Sequence, residues 1–286
     1  MADPGAEPDA HVRPDARWDA GPPWRPYLEL LRSRVAAQTG YRGSFALDVL
    51  GNVGIGLVEL SEVYVIFSRV DALGGLDVGG ALLVFALANV AFSLADLAVG
   101  HVDTLPTYLR AGTLDAFLLR PLPVLAQLAT SDISLRRLGR TALAVVVLAV
   151  AVPAAVPEWT PAKVLLLAAT PFVGAAVFAA LFVAAAALQF WLVEGSELTN
   201  SFTYGGAYAA SYPASVFSLP LRVLFSFVVP AAFTAYLPAL ALMDQPGPPW
   251  LPSWLGWCTP LAAGAAWCVS LLVWRAGLRH HTGAGG

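Results

Sequence analysis

Long runs of apolar residues, separated by short polar connections, dominate the chain from residue 45 onward. A helix that crosses the hydrocarbon core of a bilayer needs about 20 mostly apolar residues. Six runs meet this requirement, and they predict transmembrane helices over 45–67, 81–100, 141–157, 163–190, 222–243 and 256–274. The pattern therefore predicts an all-α integral membrane protein with six spans.

The segments that flank the spans have a different pattern. Residues 1–23 are rich in Pro, Asp and Ala, which predicts a disordered cytoplasmic tail. Residues 24–38 alternate apolar side chains with Arg25, Arg32 and Arg34, as expected of an amphipathic helix that lies in the membrane interface. The transmembrane domain is thus predicted over 24–275, followed by a cytoplasmic tail over 276–286.

The basic residues set the predicted orientation, because Lys and Arg are concentrated in cytoplasmic loops. With the N-terminus inside, fourteen of the 16 basic residues fall on inner segments, Arg222 among them, and only Arg69 and Lys163 fall outside. Both termini are therefore predicted to be cytoplasmic. The bias toward Arg, Ala, Gly and Pro is typical of a high-GC bacterial genome, which predicts the bacterial inner membrane. The Pro- and Trp-rich outer loop 244–257 could either rest as a turn at the interfacial aromatic belt or dip back into the bilayer.

Composition agrees with a membrane protein and excludes other classes. Apolar residues make up 58% of the chain and charged residues 12%, against roughly 25% charged residues in soluble domains. A net charge of −3 argues against a nucleic-acid partner, which would require a basic surface. Cys258 and Cys268 lie about 15 Å apart on one predicted helix, too far for a disulfide.

Polar side chains form one stripe on each of the first two predicted spans. Intramembrane carboxylates are costly and are by default functional or paired. The stripes consist of Asp48, Asn52, Glu59 and Glu62 on the first span, and Asn89, Ser93 and Asp96 on the second. They could line a path for a polar or amphipathic substrate, or they could hydrogen-bond helices or subunits together. A common inner depth for Asp48, Asn52 and Asp96 favours the second role, whereas Glu59 and Glu62, nearer the outer end, are better path candidates.

The cytoplasmic segment between the second and third spans carries a distinct motif. Its residues are Leu109, Arg110, Gly112, Thr113, Leu114, Asp115, Phe117, Leu118, Leu119, Arg120 and Pro121. This run closely resembles a signature of the permeases of type-2 ABC exporters, above all a bacterial subfamily with an LR-x-G-T-L-D-x-x-L-L-R-P core. A second block over 212–238 and a weaker one at Tyr41-Arg42 extend the resemblance over most of the chain.

The resemblance implies that this segment is a short coupling helix gripped by a separate cytoplasmic ATPase. In residue terms, Thr113 can cap the helix, Pro121 can end it, and Leu114, Phe117 and Leu118 would form one apolar face flanked by Asp115 and Arg120. An interfacial helix that rests on lipid is the alternative. The resemblance also implies a second permease subunit, identical or a sister, and an amphipathic small molecule, drug or lipid as substrate.

The sequence carries no ATPase or other enzymatic motif of its own. A Walker A loop needs Gly-Lys-Ser/Thr, and the single lysine, Lys163, follows Ala162. No cofactor is expected on this chain, and ATP and Mg²⁺ are expected to be used by the partner ATPase. The alternative function is an ion-coupled secondary transporter that uses the carboxylates Asp48, Glu59, Glu62 and Asp96 as a proton relay. The six spans show no internal repeat that would support it.

Overall fold

A computed structural model describes residues 42–131, 137–192 and 195–281. The predicted tail 1–23, the predicted interfacial helix 24–38, Tyr41, Arg136 and residues 282–286 lie outside the described residues. The α-helices are α1 Arg42–Phe67, α2 Val78–Val99, α3 Leu105–Arg110, α4 Asp115–Leu118, α5 Val124–Ser131, α6 Leu138–Ala155, α7 Pro161–Leu188, α8 Ser196–Ala210, α9 Leu219–Val223, α10 Tyr236–Leu242 and α11 Thr259–His280. Short 3₁₀ turns at Gly100–Thr104, Ala214–Val216, Ala231–Phe233 and Ser253–Cys258 and one π-helical turn at Leu224–Val228 link them, and the described ranges contain no β-strand.

Five helical segments are long and apolar enough to cross a membrane. They are Phe45–Phe67, Val78–Arg110, Leu138–Ala155, Pro161–Leu188 and Ser253–His280. A sixth candidate is a pair of helical arms, Leu219–Val228 and Ala231–Leu242, bent by 68°. These helices confirm the predicted all-α integral membrane fold.

Helix α2 forms the centre of the bundle. Every residue from Leu83 to Ser93 is buried, and α2 packs against α1, α6, α7, α8 and α10. A helix whose surface is apolar on most sides is expected in such an enclosed position. The remaining spans are thus arranged around α2.

Helix α1 lies at the edge of the bundle and packs mainly against α6. The two helices approach closely at Gly139, where a Cβ atom would lie only 2.7 Å from the carbonyl oxygen of Val49. The opposite face of α1 is open, and the side chains of Leu47, Leu50 and Val58 are 72%, 65% and 61% exposed. This face is available to lipid or to another subunit.

Side-chain N-caps mark the starts of α2 and α7 at one end of the bundle. Asp77 caps α2 by accepting a hydrogen bond of 2.9 Å from the Gly80 amide. Thr160 caps α7 in the same way through the Lys163 amide, at 3.3 Å. The α1–α2 and α6–α7 connections meet at this end, which we call the outer end because the charge distribution predicts it to be outside.

The bent pair corrects the prediction of a straight fifth span over 222–243. The Arg222 guanidinium donates to the carbonyl oxygen of Ser215 at 2.7 Å, and the Ser215 hydroxyl donates to the carbonyl of Gly74 in the α1–α2 connection. At the far end of the pair, Asp244 forms a 2.5 Å ion pair with Lys163. Both ends of the pair therefore lie at the outer end of the bundle, as in a re-entrant loop.

Helix α8 connects the inner end of the bundle to the outer end. At one end Gln189, just after α7, donates to the Thr199 hydroxyl, and at the other end Tyr212, just after α8, reaches Glu62 of α1. Its 15 residues span about 22 Å. Arg222, predicted on the inner side, consequently lies at the outer end. Thirteen basic residues remain on the inner segments, so the predicted orientation is unchanged.

Candidate functional site

A cleft of about 110 Å³ lies between α1 and α8, with α2 as its floor and Arg140 of α6 at its side. We refer to it as the acidic cleft. Its lining residues are Glu59, Glu62, Phe85, Phe92, Arg140, Tyr204, Ala207, Tyr208, Ser211 and Tyr212. The cleft combines carboxylates, one guanidinium and aromatic rings.

Glu59 is held by Arg140. The Arg140 Nη2 atom lies 2.7 Å from both carboxylate oxygens of Glu59 and 3.1 Å from Oδ1 of Asn89. The guanidinium also stands 5.4 Å from the centre of the Phe92 ring, a cation–π arrangement. Arg140 reaches Glu59 because it projects from the first turn of α6, beside α1. The charge of Glu59 is therefore compensated inside the protein.

Glu62 has a different environment, one turn further along α1. Its Oε2 atom accepts hydrogen bonds from the hydroxyls of Tyr208 at 2.8 Å and Tyr212 at 2.9 Å. No basic side chain is paired with Glu62 within the described ranges. Glu62 is thus an intramembrane carboxylate whose partners are neutral.

The carboxylate of the second stripe is paired nearer the inner end. Nη1 of Arg137 lies 2.9 Å from Oδ1 of Asp96 and donates to the Asp96 carbonyl at 2.6 Å. Next to this pair, the Tyr204 hydroxyl donates to Asp103 at 3.0 Å. These contacts join the start of α6 to the inner end of α2, and α8 to the 3₁₀ turn Gly100–Thr104 that follows α2. They agree with a packing role for Asp96.

The two polar stripes divide between the cleft and the rest of the bundle. Asn89 is buried, donates to Ser211 at 3.2 Å and accepts from Arg140 at 3.1 Å, so it lies behind two residues that line the cleft. Ser93 is buried in α2. Asp48 is exposed and Asn52 donates back to its carbonyl at 2.9 Å, so the inner half of the first stripe lies away from the cleft.

Sequence reasoning missed the partners of the stripes. Arg137 and Arg140 enter the sequence prediction only through the orientation, Tyr212 only as the start of the second block of resemblance, and Tyr204 and Tyr208 not at all. The tyrosines recur every four residues, a spacing that places them on one face of a helix. That spacing was the available signal.

The coupling segment, 109–121, packs against the inner ends of α7 and α11. Leu114 is completely buried in a cluster with Leu128, Ala186 and Trp274. Phe117 packs edge-on against Tyr108, with ring centres 5.3 Å apart. Both side chains therefore face the bundle.

Leu118, Leu119 and Arg120 form the outward face of the segment. Leu118 is 50% exposed and Leu119 is 87% exposed, and the Arg120 guanidinium lies 5.9 Å from the Phe117 ring centre. The prediction that Leu114, Phe117 and Leu118 share one apolar face is thus wrong, because Leu114 and Phe117 face the bundle whereas Leu118 faces outward.

The other residues of the segment define its shape. Gly112 adopts a φ of +64°, a left-handed conformation that favours glycine. The predicted Thr113 cap is absent, since α4 begins after Leu114 with no side-chain cap. Arg110 and Pro121 are exposed and Leu109 is half-buried. Asp115 contacts His281, after α11, at 3.2 Å.

No three His, Cys, Asp or Glu side chains come together as metal ligands within 42–131, 137–192 and 195–281. Comparison with known protein families gives a match over residues 54–285 to a family described as "ABC-2 family transporter protein". No curated protein and no solved structure gives a significant match.

Proposed function

The chain belongs to the ABC-2 transporter family, as its sequence signature predicted, and from this premise we propose that it is the membrane-spanning subunit of an ATP-driven exporter of amphipathic cations. Membership makes the chain a multi-pass transport subunit. The substrate, the partners and the orientation are the parts we propose. The acidic cleft is the substrate-contacting surface.

Glu62 is the observation that supports a cationic substrate. A carboxylate at membrane depth is costly unless a cation or a set of donors compensates it. Here two tyrosine hydroxyls hold it at the wall of an open cleft, and the exposed ring of Tyr208 lies alongside. A carboxylate beside aromatic faces is the combination that binds organic ammonium ions. The apolar part of the substrate would contact the Phe85 and Phe92 rings.

A second permease subunit, identical or a sister, would complete the site. A cleft of about 110 Å³ is smaller than the roughly 300 Å³ at the lower end of small-molecule sites. The cleft opens beside the unpacked face of α1 and the exposed Tyr204 and Tyr208 of α8. A second chain against this side would enlarge the cleft into an enclosed path.

A separate cytoplasmic ATPase supplies the energy and uses ATP and Mg²⁺. The exposed Leu118, Leu119 and Arg120 at the inner end are the surface that it would grip. Lys163, the single lysine, is buried and paired with Asp244 at the outer end, which agrees with ATP hydrolysis on another protein. The same orientation puts both termini in the cytoplasm of a bacterial cell, with the bundle in the inner membrane.

The test is ATP-dependent transport into inside-out proteoliposomes that contain the chain and its ATPase. The probes are two fluorescent amphiphiles that share the same aromatic group. One carries a quaternary ammonium group and the other is neutral. We expect the cation to be transported faster than the neutral probe. Glu62→Gln should lower the rate of cation transport at least tenfold. The control Glu158→Gln, which removes an exposed carboxylate in the α6–α7 connection, should leave that rate unchanged. Equal transport of both probes would refute the cationic substrate. Transport driven by a proton gradient without the ATPase would instead establish the ion-coupled alternative.

A further inference from the structure

The acidic cleft contains three formally charged side chains, and their sum decides which cation it can hold. Glu59 and Glu62 come from α1, and Arg140 comes from α6. We propose that Arg140 is a specificity-determining residue that limits the site to singly charged amphiphiles by cancelling Glu59. This inference rests on the proposed cation transport and deepens it.

Arg140 is held in a fixed position rather than extending freely into solvent. Its Nη2 atom contacts both oxygens of Glu59 at 2.7 Å and the Asn89 oxygen at 3.1 Å. Asn89 is itself anchored, because its amide donates to the Phe85 carbonyl at 3.0 Å and to Ser211 at 3.2 Å. The position of the guanidinium is therefore set before any substrate arrives.

The compensation of charge within the cleft is incomplete. Arg140 neutralises one carboxylate, while Glu62 receives only the hydroxyls of Tyr208 and Tyr212. With all three groups ionised, the cleft carries one negative charge for each copy of the chain. A single positive charge on the substrate balances it, whereas a second would lie uncompensated in a weakly solvated site beside Arg140.

A purely structural role for Arg140 makes a different prediction. In that role the ion pair only joins α1 to α6. The two helices already meet at Gly139, where a Cβ atom would lie 2.7 Å from the Val49 carbonyl oxygen. Glu59 and Arg140 both line the cleft, with side chains 21% and 24% exposed. A structural pair would affect stability alone, whereas a charge-setting pair changes which cation is transported.

Three matched variants separate these roles by giving the cleft three different charges. Arg140→Gln leaves two negative charges, Glu59→Gln leaves none with Glu62 intact, and the double variant restores one. The probes are a mono- and a bis-quaternary ammonium of the same aromatic body. Their ATP-dependent transport is measured in proteoliposomes, and the thermal unfolding midpoint of each variant is measured in parallel.

We expect Arg140→Gln to raise the ratio of dication to monocation transport at least tenfold, equivalent to about 1.4 kcal/mol. Glu59→Gln should lower transport of both cations at least tenfold, and the double variant should recover the wild-type ratio within about threefold. An unchanged ratio in Arg140→Gln would overturn the inference. If that variant does not fold, failure of the double variant to recover the transport lost in Glu59→Gln would overturn it equally.

Glu62→Gln separates this inference from the proposed function. Suppose that Glu62→Gln abolishes cation transport while Arg140→Gln leaves the ratio of dication to monocation transport unchanged. The proposed cation exporter is then supported and the proposed role of Arg140 is refuted. If Glu62→Gln transports cations at the wild-type rate, both the proposed cation exporter and the proposed role of Arg140 are refuted.

Discussion

Two leucines of the coupling segment should respond in opposite ways to substitution. Leu114 is completely buried, whereas Leu119 is 87% exposed. Truncating a buried leucine to alanine costs about 2–5 kcal/mol, because it removes apolar burial and leaves a cavity. Truncating an exposed one changes stability by about 0.5 kcal/mol or less. Leu114→Ala should therefore weaken the inner end of the bundle, and Leu119→Ala should not.

The functional effects should be reversed when Leu119 becomes Asp. An aspartate at this position stays solvated in the isolated subunit but must be desolvated in an apolar groove of the ATPase, which costs several kcal/mol. We expect Leu119→Asp to unfold within about 1 °C of the wild type, to lose at least nine-tenths of the co-purified ATPase and to abolish ATP-dependent transport. We expect Leu114→Ala to lower the unfolding midpoint by about 4 °C or more, at about 2 °C per kcal/mol.

The assay is affinity purification of the permease with its untagged ATPase, followed by a thermal unfolding scan of the same samples. The matched control is Leu138→Asp, since Leu138 is exposed at the start of α6, outside the coupling segment. If the Leu119→Asp variant co-purifies with as much ATPase as the wild type, the outward face of the coupling segment is not the ATPase-binding surface. An unchanged unfolding midpoint in Leu114→Ala would refute the packing described for the segment.

Two further predictions test the outer end of the bundle. On a cysteine-free background, Ser218→Cys should react with a membrane-impermeant thiol reagent in intact cells and Leu119→Cys should not; the opposite result at Ser218 would favour a straight fifth span. Asp244→Asn should lower the unfolding midpoint, because the buried Lys163 ammonium would keep only the Glu158 carbonyl as a strong acceptor. Lys163→Met combined with Asp244→Asn should recover part of that loss, and a double variant less stable than Asp244→Asn would contradict the pairing.

Hydropathy predicted the long helices well and the bent pair poorly. The ends of the predicted spans 81–100 and 163–190 differ by at most three residues from the ends of the helices Val78–Val99 and Pro161–Leu188. The agreement is close because the length of an apolar run determines directly how much of a helix is stable in lipid. Hydropathy cannot distinguish a helix that crosses the membrane from a re-entrant pair of helices that turns back to the same side. The Val229-Pro230 break and the preceding π-helical turn reverse the bent pair within an apolar run. Helix α8, whose Ser, Thr and Asn residues lower its hydropathy, instead connects the inner and outer ends of the bundle.

The site was predicted in part. Glu59, Glu62 and Asn89 were identified from their helical periodicity, since a stripe is a property of one helix. Their partners were not, because Arg140 and Tyr208 lie 81 and 146 residues away from the carboxylates that they contact. Long-range pairing depends on which helices become neighbours, and a single sequence does not contain that information in its local pattern.

The separation of these partners along the chain also dictates an order of events during synthesis. Glu59 leaves the ribosome 81 residues before Arg140, which corresponds to about 4–16 s at ordinary elongation rates of about 5–20 residues per second. During that interval Glu59 lacks Arg140, so α1 meets the insertion machinery and the bilayer with an uncompensated carboxylate, which is costly at membrane depth. We therefore expect a chain truncated before α6 to retain less α1 in the membrane than the full chain does.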